Sequence, residues 1–303
     1  FYRPEGRKRK ILIERGAFPS DRYAVVSQLL LHGHSEADLI ELDPDEQGWI
    51  DEARVIECIR EHADELALVL WPGVQYATGQ SFDLRRIASA AHAAGAAVGF
   101  DLAHSVGNTP LDLHGSGADF AAWCTYKYLN AGPGAVGGAF VHERHHDRDD
   151  LPRLHGWWGC AAQSRFLMSP EFTPAPGVDA WLMSNSPIFS TAPLWVSLDI
   201  FEAAGFDKLR EKSLALTGYL EQLVLTELDD VLQIITPTEP SRRGCQLSMA
   251  VRDGRAAGRS LFDHLIAAGV IGDWREPDII RMAPVPLYNR FEDCWNFVEQ
   301  VKR

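Results

Sequence analysis

The stretches VGFDLAHSVGN (residues 98–108) and WCTYKYLNAGPGAVGGAF (123–140) decide how this chain is read. In the first, an apolar run of strand type stops at Asp101, and His104 follows three residues on. In the second, another apolar run stops just short of Lys127, with four glycines behind it. Outward from these, KILIE (10–14), LALVLW (66–71), AAVGFDLA (96–103), DFAAWCTY (119–126) and GGAFVHE (137–143) read as strands. Helical periodicity marks PSDRYAVVSQLLLHG (19–33), ended by Gly33, DEARVIECIREHADE (51–65), opened by an Asp51 cap, and SFDLRRIASAAHAAG (81–95), closed by Gly95. Strands alternating with helices predict an α/β domain with a mainly parallel sheet.

Near residues 187–200 the pattern changes to a long helical stretch, DKLREKSLALTGYLEQLVLTEL (207–228). GCQLSMAV (244–251), the helix AAGRSLFDHLIAAG (256–269) and DIIRMAPV (278–285) then predict a smaller α+β domain. The expected division is a large α/β domain over 1–195, followed by a linking helix and small C-terminal domain over 196–303.

Composition narrows the function. A chain of 303 residues with 46% hydrophobic content can bury a full core, and no apolar run reaches the roughly 18 residues of a membrane span. The start, FYRPEGRKRK, lacks a signal peptide's apolar core, so the expected location is the cytoplasm. Five cysteines without a CxxC pair fit reduced thiols. A formal charge of −13 argues against nucleic acid, and small molecules are the expected ligands. The chain opens on FYRP without an initiator methionine, which reads as the middle of a longer sequence.

A lone lysine at a strand end is ordinarily a solvated charge. Here an aspartate lies 26 positions upstream on the preceding strand end, and a glycine-rich loop follows. In open α/β sheets ligands bind beyond the carboxyl ends of strands. A lysine amine for an aldehyde, a carboxylate for a pyridine nitrogen and a loop that admits close approach are what pyridoxal 5′-phosphate requires there.

These stretches, with RGAFPSDRYAVVSQLLLHG (15–33), GWWG (156–159), SNSPI (184–188) and IRMAPVPLYN (280–289), resemble kynureninase, a pyridoxal phosphate enzyme of the class V aminotransferase branch of fold type I. The likeness runs from the first residues nearly to the last. It implies hydrolysis of L-kynurenine or 3-hydroxykynurenine to anthranilate or 3-hydroxyanthranilate and L-alanine. It further implies that Lys127 bonds the cofactor aldehyde, Asp101 pairs with the pyridine nitrogen, and Tyr126 hydrogen-bonds the phosphate and relays protons. His104 would lie along the ring, Phe18 would stack on it, and Asp21 would be a polar neighbour. By the same resemblance Trp157 and Asn185 reach the phosphate and the substrate ring, partly across the interface of a homodimer, and Ser184 lies near that ring. Arg281 would clamp the substrate carboxylate with its planar fork. Two departures stand out: the family's phosphate-binding dipeptide falls upstream of residue 1, and Pro72 replaces a hydroxyl residue that touches the phosphate.

Other readings remain open at this level. A cysteine desulfurase or transaminase of the same branch would share Asp101 and Lys127. A desulfurase would carry a His before the lysine and a reactive small-domain Cys, whereas this chain has Tyr126 and a Cys245 set in an apparent strand. A shortened, non-catalytic relative would keep the fold alone. HERHHDRDD (142–150) mixes both charge signs without ordered ligand spacing, so no metal is expected, and glycines 132, 134, 137 and 138 do not open a helix as a dinucleotide fingerprint would.

Overall fold

In the computed structural model, which describes residues 1–148 and 150–303, six strands form the first sheet. They are β1 (Lys10–Glu14), β2 (Leu39–Leu42), β3 (Leu66–Pro72), β4 (Ala97–Asp101), β5 (Phe120–Trp123) and β6 (Gly138–Val141), in the order β2-β1-β3-β4-β5-β6. All pair in parallel except β6, which runs antiparallel to β5 because no crossover helix lies between them.

Helices cover both faces, as a parallel sheet demands. They are α1 (Pro19–Leu31), α2 (Glu52–Glu61), α3 (Leu84–Ala93) and the one-turn α4 (Leu113–Ser116). Alternation along β1 sends Ile11 and Ile13 to the side of α1, against Val25 and Leu29. Leu12 goes to the other side, with Val55 and Ile59 of α2 and Ile87 of α3. Side-chain oxygens of Asp51 and Asp83 cap α2 and α3, as the sequence predicts for Asp51.

The one-turn α5 (Ala162–Arg165) precedes a helical pair, α6 (Ile188–Ala204) and α7 (Phe206–Glu227), joined at Gly205 with φ +79°. The 195/196 division falls inside α6, so the chain passes between the two sheets through the helical pair α6 and α7. Beyond lies an antiparallel sheet of β7 (Leu232–Ile234), β8 (Leu247–Val251), β9 (Asp273–Arg275) and β10 (Ile279–Met282), ordered β7-β8-β10-β9. The helices α8 (Gly254–Ala267) and α9 (Phe291–Val301), with α7, bury its apolar face around Leu220, Met249, Ile280 and Phe297. Cys245 lies two residues before β8 and not within it, yet it is buried.

The two sheets meet along one seam. Trp49 Nε1 donates to the Ile235 carbonyl (2.6 Å), and Thr236 Oγ1 donates to the Thr78 carbonyl (2.6 Å). Among the described residues no helix is long and apolar enough to cross a membrane.

Candidate active site

Asp101 ends β4 level with Pro72 on β3 and Ala122 on β5, so the crevice opens beyond three adjacent carboxyl ends. Its Oδ1 accepts the Ala103 N–H (2.8 Å), which fixes the carboxylate where the chain leaves the strand. Lys127 stands in the tight turn past β5. There Asn130, at φ 54°, donates its N–H to the Lys127 carbonyl (3.0 Å) and its Nδ2 to the Tyr128 carbonyl (3.0 Å). Asparagine tolerates this left-handed backbone better than other side chains, so Asn130 lets the turn close.

Phe18 owes its place to Pro19, which holds the residue before it extended (φ −54°, ψ 132°) at the head of α1. The Phe18 ring centre lies 5.7 Å from Lys127 Nζ and 5.4 Å from the ring of Tyr76, edge-on. Asp21, in the first turn of α1, has its pKa raised to about 7 by burial, then by the charge and hydrogen bond of Asp101, with Lys127 opposing. Behind them Glu14 ends β1, buried, its Oε2 without a partner and its Oε1 accepting from Gln75 Nε2 (3.3 Å). Burial pushes the Glu14 carboxyl up to about 8, and Asp21 and Asp101 add to the rise.

His104 is a neutral imidazole. Burial, and then the charges of Lys127, Arg281 and Arg275, take its pKa down to about 2, and its Nδ1 is buried without a partner. Asn108 clips this loop to the second sheet, donating Nδ2 to the His104 carbonyl (2.8 Å) and accepting the Cys245 N–H on Oδ1 (2.8 Å). Tyr126 is half exposed; a hydrogen bond with Cys124 raises its pKa, and Asp101 adds to the effect.

Arg281 on β10 is no surface ion pair. It is 8% exposed, and its Nη1 donates to the Tyr76 carbonyl (2.6 Å), so it reaches the crevice through the residue that packs on Phe18. The remainder of its fork meets Asp273: Nε lies 3.0 Å and Nη2 2.8 Å from Asp273 Oδ1.

The structure thus gathers Asp101, Lys127, His104, Phe18, Asp21, Tyr126 and Arg281 around one crevice. Trp157, Ser184 and Asn185 form a second group. Among the described residues no hydrogen bond, ring contact or ion pair ties them to the first. They are held to each other, because Gly156 and Gly159 lie backbone-to-backbone against Met183 and Leu182, where a Cβ would collide. Trp157 is exposed with its ring against Phe166, and Ser184 donates to Asn185 Oδ1 (3.2 Å) in an exposed turn.

Four further residues shape the crevice: Glu14, Gln75, Tyr76 and Asp273. Glu14 carried a signal as the residue that closes the KILIE strand; Asp273, Gln75 and Tyr76 carried none of their own. The donor set fits pyridoxal phosphate, with a fixed carboxylate beyond a strand end, an amine on the adjoining turn, an aromatic ring beside it and an unpartnered buried imidazole nitrogen. Pro72 offers no donor here. Cys245 is not a reactive thiol of the desulfurase kind, since burial pushes it up to about 12. In the 142–150 stretch Asp149 lies outside the described residues, and His145 and Arg144 both bond Asp119.

The family model of the kynureninase C-terminal domain matches residues 209–301. A kynureninase of Xanthomonas euvesicatoria pv. vesicatoria is 61% identical over all of this chain and 72% of its own length. One from Stenotrophomonas maltophilia is 59% identical over the same shares. In structure, the chain is similar to a cystine C-S lyase complexed with cysteine persulfide, with TM-score 0.79, 19% identity, and 96% of this chain and 74% of that one covered. A cysteine desulfurase from Escherichia coli gives 0.78 at 16% identity, covering 97% and 71%. At such identities the structural likeness speaks for the fold alone.

Proposed function

Because this chain belongs to the kynureninase family, we propose that its crevice hydrolyses L-kynurenine, the 3-hydroxy form or both, giving anthranilate or 3-hydroxyanthranilate and L-alanine. The enzyme is a pyridoxal 5′-phosphate-dependent hydrolase of a carbon–carbon bond. The observation that carries the assignment of residues is the convergence of Asp101, Lys127 and Phe18 beyond the ends of β4 and β5.

When bound, the cofactor supplies an aldehyde carbon that takes up amines and a pyridinium ring that draws electrons from the substrate Cα. Asp101 would hold the proton on the ring nitrogen, with Asp21, whose carboxyl burial and the neighbouring Asp101 push up to about 7, beside it. Lys127 would bond the cofactor aldehyde at rest, and once free its Nζ would take the Cα proton. Arg281 would fix the α-carboxylate, and Phe18, whose ring lies 5.7 Å from Lys127 Nζ, would pack beside the cofactor ring. A water adds to the γ-carbonyl, and Tyr126, neutral His104 and Asn185 stabilise the oxyanion as the Cβ–Cγ bond breaks. Tyr126 would relay the proton, taking one from the hydrate hydroxyl as the aromatic fragment leaves as a carboxylic acid and giving one to Cβ of the alanyl fragment.

The active form is a homodimer in which Trp157, Ser184 and Asn185 serve the partner's crevice. Their exposure on one strap supports this, as does the bare apolar surface of α6 around Phe189 and Trp195. The large domain runs over 1–195 and the small one over 196–303. The protein works in the cytoplasm, where its five free thiols stay reduced.

Substituting Lys127→Ala tests the assignment. The borohydride-reducible visible band of the holoenzyme and turnover should both disappear while the far-UV circular dichroism is kept. A variant that retains the reducible band would place the covalent attachment elsewhere.

A further inference from the structure

Asp273 and Arg281 face each other directly across the antiparallel pair of β9 and β10. A guanidinium carries five N–H groups, one on Nε and two on each terminal nitrogen. Two are committed as hydrogen bonds, Nε to Asp273 Oδ1 (3.0 Å) and one N–H of Nη1 to the Tyr76 carbonyl (2.6 Å), and Nη2 stands 2.8 Å from the same Oδ1 as an ion pair. At least one N–H on each terminal nitrogen is left, and two N–H groups on the two terminal nitrogens are what a bidentate carboxylate pair needs.

Both anchors are themselves fixed. The Tyr76 carbonyl also accepts from Gln246 Nε2 (3.1 Å), and its loop is braced by Gln75, whose Oε1 takes the N–H groups of Ala77 (2.6 Å) and Thr78 (2.8 Å). Asp273 is shared with Arg275, whose Nε lies 2.8 Å from Oδ1 and whose Nη2 donates to Oδ2 (3.1 Å). Two arginines against one aspartate leave a formal charge of +1 facing the crevice. An incoming carboxylate therefore meets net attraction even with Asp273 in place.

We propose that Asp273 is a positioning residue for the substrate-carboxylate clamp, turning the Arg281 guanidinium so that one N–H of each terminal nitrogen faces the substrate. This rests on the reading of Arg281 as the clamp. The contrary role, a lock that competes with substrate for the fork, fits the contacts less well. Asp273 occupies the Nε side of the guanidinium, and strand pairing sets the two residues opposite each other.

The test compares the wild-type holoenzyme with Asp273→Ala, Asp273→Asn and Arg281→Ala, using L-kynurenine as substrate and its decarboxylated amine as competitive inhibitor. Asp273→Ala should raise KM about tenfold or more with kcat within about threefold, because a ground-state contact is misaimed. Asp273→Asn, whose Oδ1 still accepts, should raise KM less. The Ki of the decarboxylated amine should stay within about twofold of wild type, since it has no carboxylate to clamp. An unchanged or lower KM in Asp273→Ala, or an equal penalty on the decarboxylated amine, would overturn the proposal. Should Asp273→Ala fail to fold, Asp273→Asn decides by the same contrast between the two ligands. If Arg281→Ala raises KM and Asp273→Ala does not, only the positioning role falls; if Arg281→Ala leaves KM unchanged, the clamp reading falls first.

Discussion

At the scale of single residues, Glu14 shows how burial sets chemistry. It ends β1 with 2% exposure, meets no cation among the described residues, and shares its surroundings with Asp21 and Asp101. An ionised carboxylate there would be unpaired among like charges, so the group keeps its proton up to about pH 8 against an ordinary value of 4.5. The consequence for stability follows by linkage. The folded state holds a proton that the unfolded state releases above 4.5, so this contribution is full below that value and is lost as pH rises through about 8. Glu14→Gln keeps the shape and the bond to Gln75 without the titration. Its melting temperature, measured from pH 5 to 8.5, should gain on the wild type steadily as pH rises, the gap reaching a few kcal/mol in stability. Parallel curves for the two proteins would mean that Glu14 is ionised in the fold. His104 differs in sign: burial and three cations keep it neutral, so it can offer an N–H to an oxyanion without itself carrying charge across the working range.

At the scale of elements, the strap that joins residues 156–159 to 180–185 depends on glycine. A Cβ on Gly156 would overlap the Met183 backbone, which cannot yield as a flexible side chain could. Gly156→Ala should therefore push Trp157 away from Ser184 and Asn185 and lower kcat/KM by tenfold or more. The melting temperature should move little, because the strap lies outside the main cores. Steady-state kinetics beside a thermal melt checks this, and unimpaired kcat/KM would show that the strap does not serve catalysis. Elements also mark where the sequence was legible. β1, β3, β4 and β5 announce themselves by apolar runs with turn residues at their ends, and that alone put Asp101 and Lys127 on one edge of a sheet. β9 is three residues, Asp-Trp-Arg, too short and too polar for a period of two to register, so the partner of Arg281 stayed hidden until strands were paired. Tyr76 acts through its backbone carbonyl, which no side-chain pattern can signal. The helical spacing of Cys294, Phe297 and Val298 in α9 was available to be read, unlike these.

At the scale of the whole molecule, the two groups of site residues pose a question that one chain does not answer. Asp101, Lys127, His104 and Arg281 are drawn inward, whereas Trp157, Ser184 and Asn185 stand on an exposed strap, and α6 leaves Ile188, Phe189, Trp195 and Val196 bare. Apolar side chains so grouped mark an interface, and a two-fold axis would bring each strap to the other chain's crevice at equal cost to both. Such an arrangement has a consequence that a self-sufficient chain cannot imitate. Lys127→Ala and Asn185→Ala each remove one contributor to every site of their own homodimers, so each should be inactive or nearly so. Mixed by co-refolding or co-expression, they form hybrid dimers in which one crevice has lost both contributors and the other retains both. With random pairing, half the dimers are hybrids with one intact site of two, and activity should return to about a quarter of wild type. Sedimentation should report the mixed species at the dimer mass. If Asn185 instead served the crevice of its own chain, every site in the mixture would lack one contributor, and mixing would restore nothing. A mixture no more active than its parents, with hybrids present by mass, would therefore assign the strap to its own crevice and leave the α6 surface to be explained by some other contact.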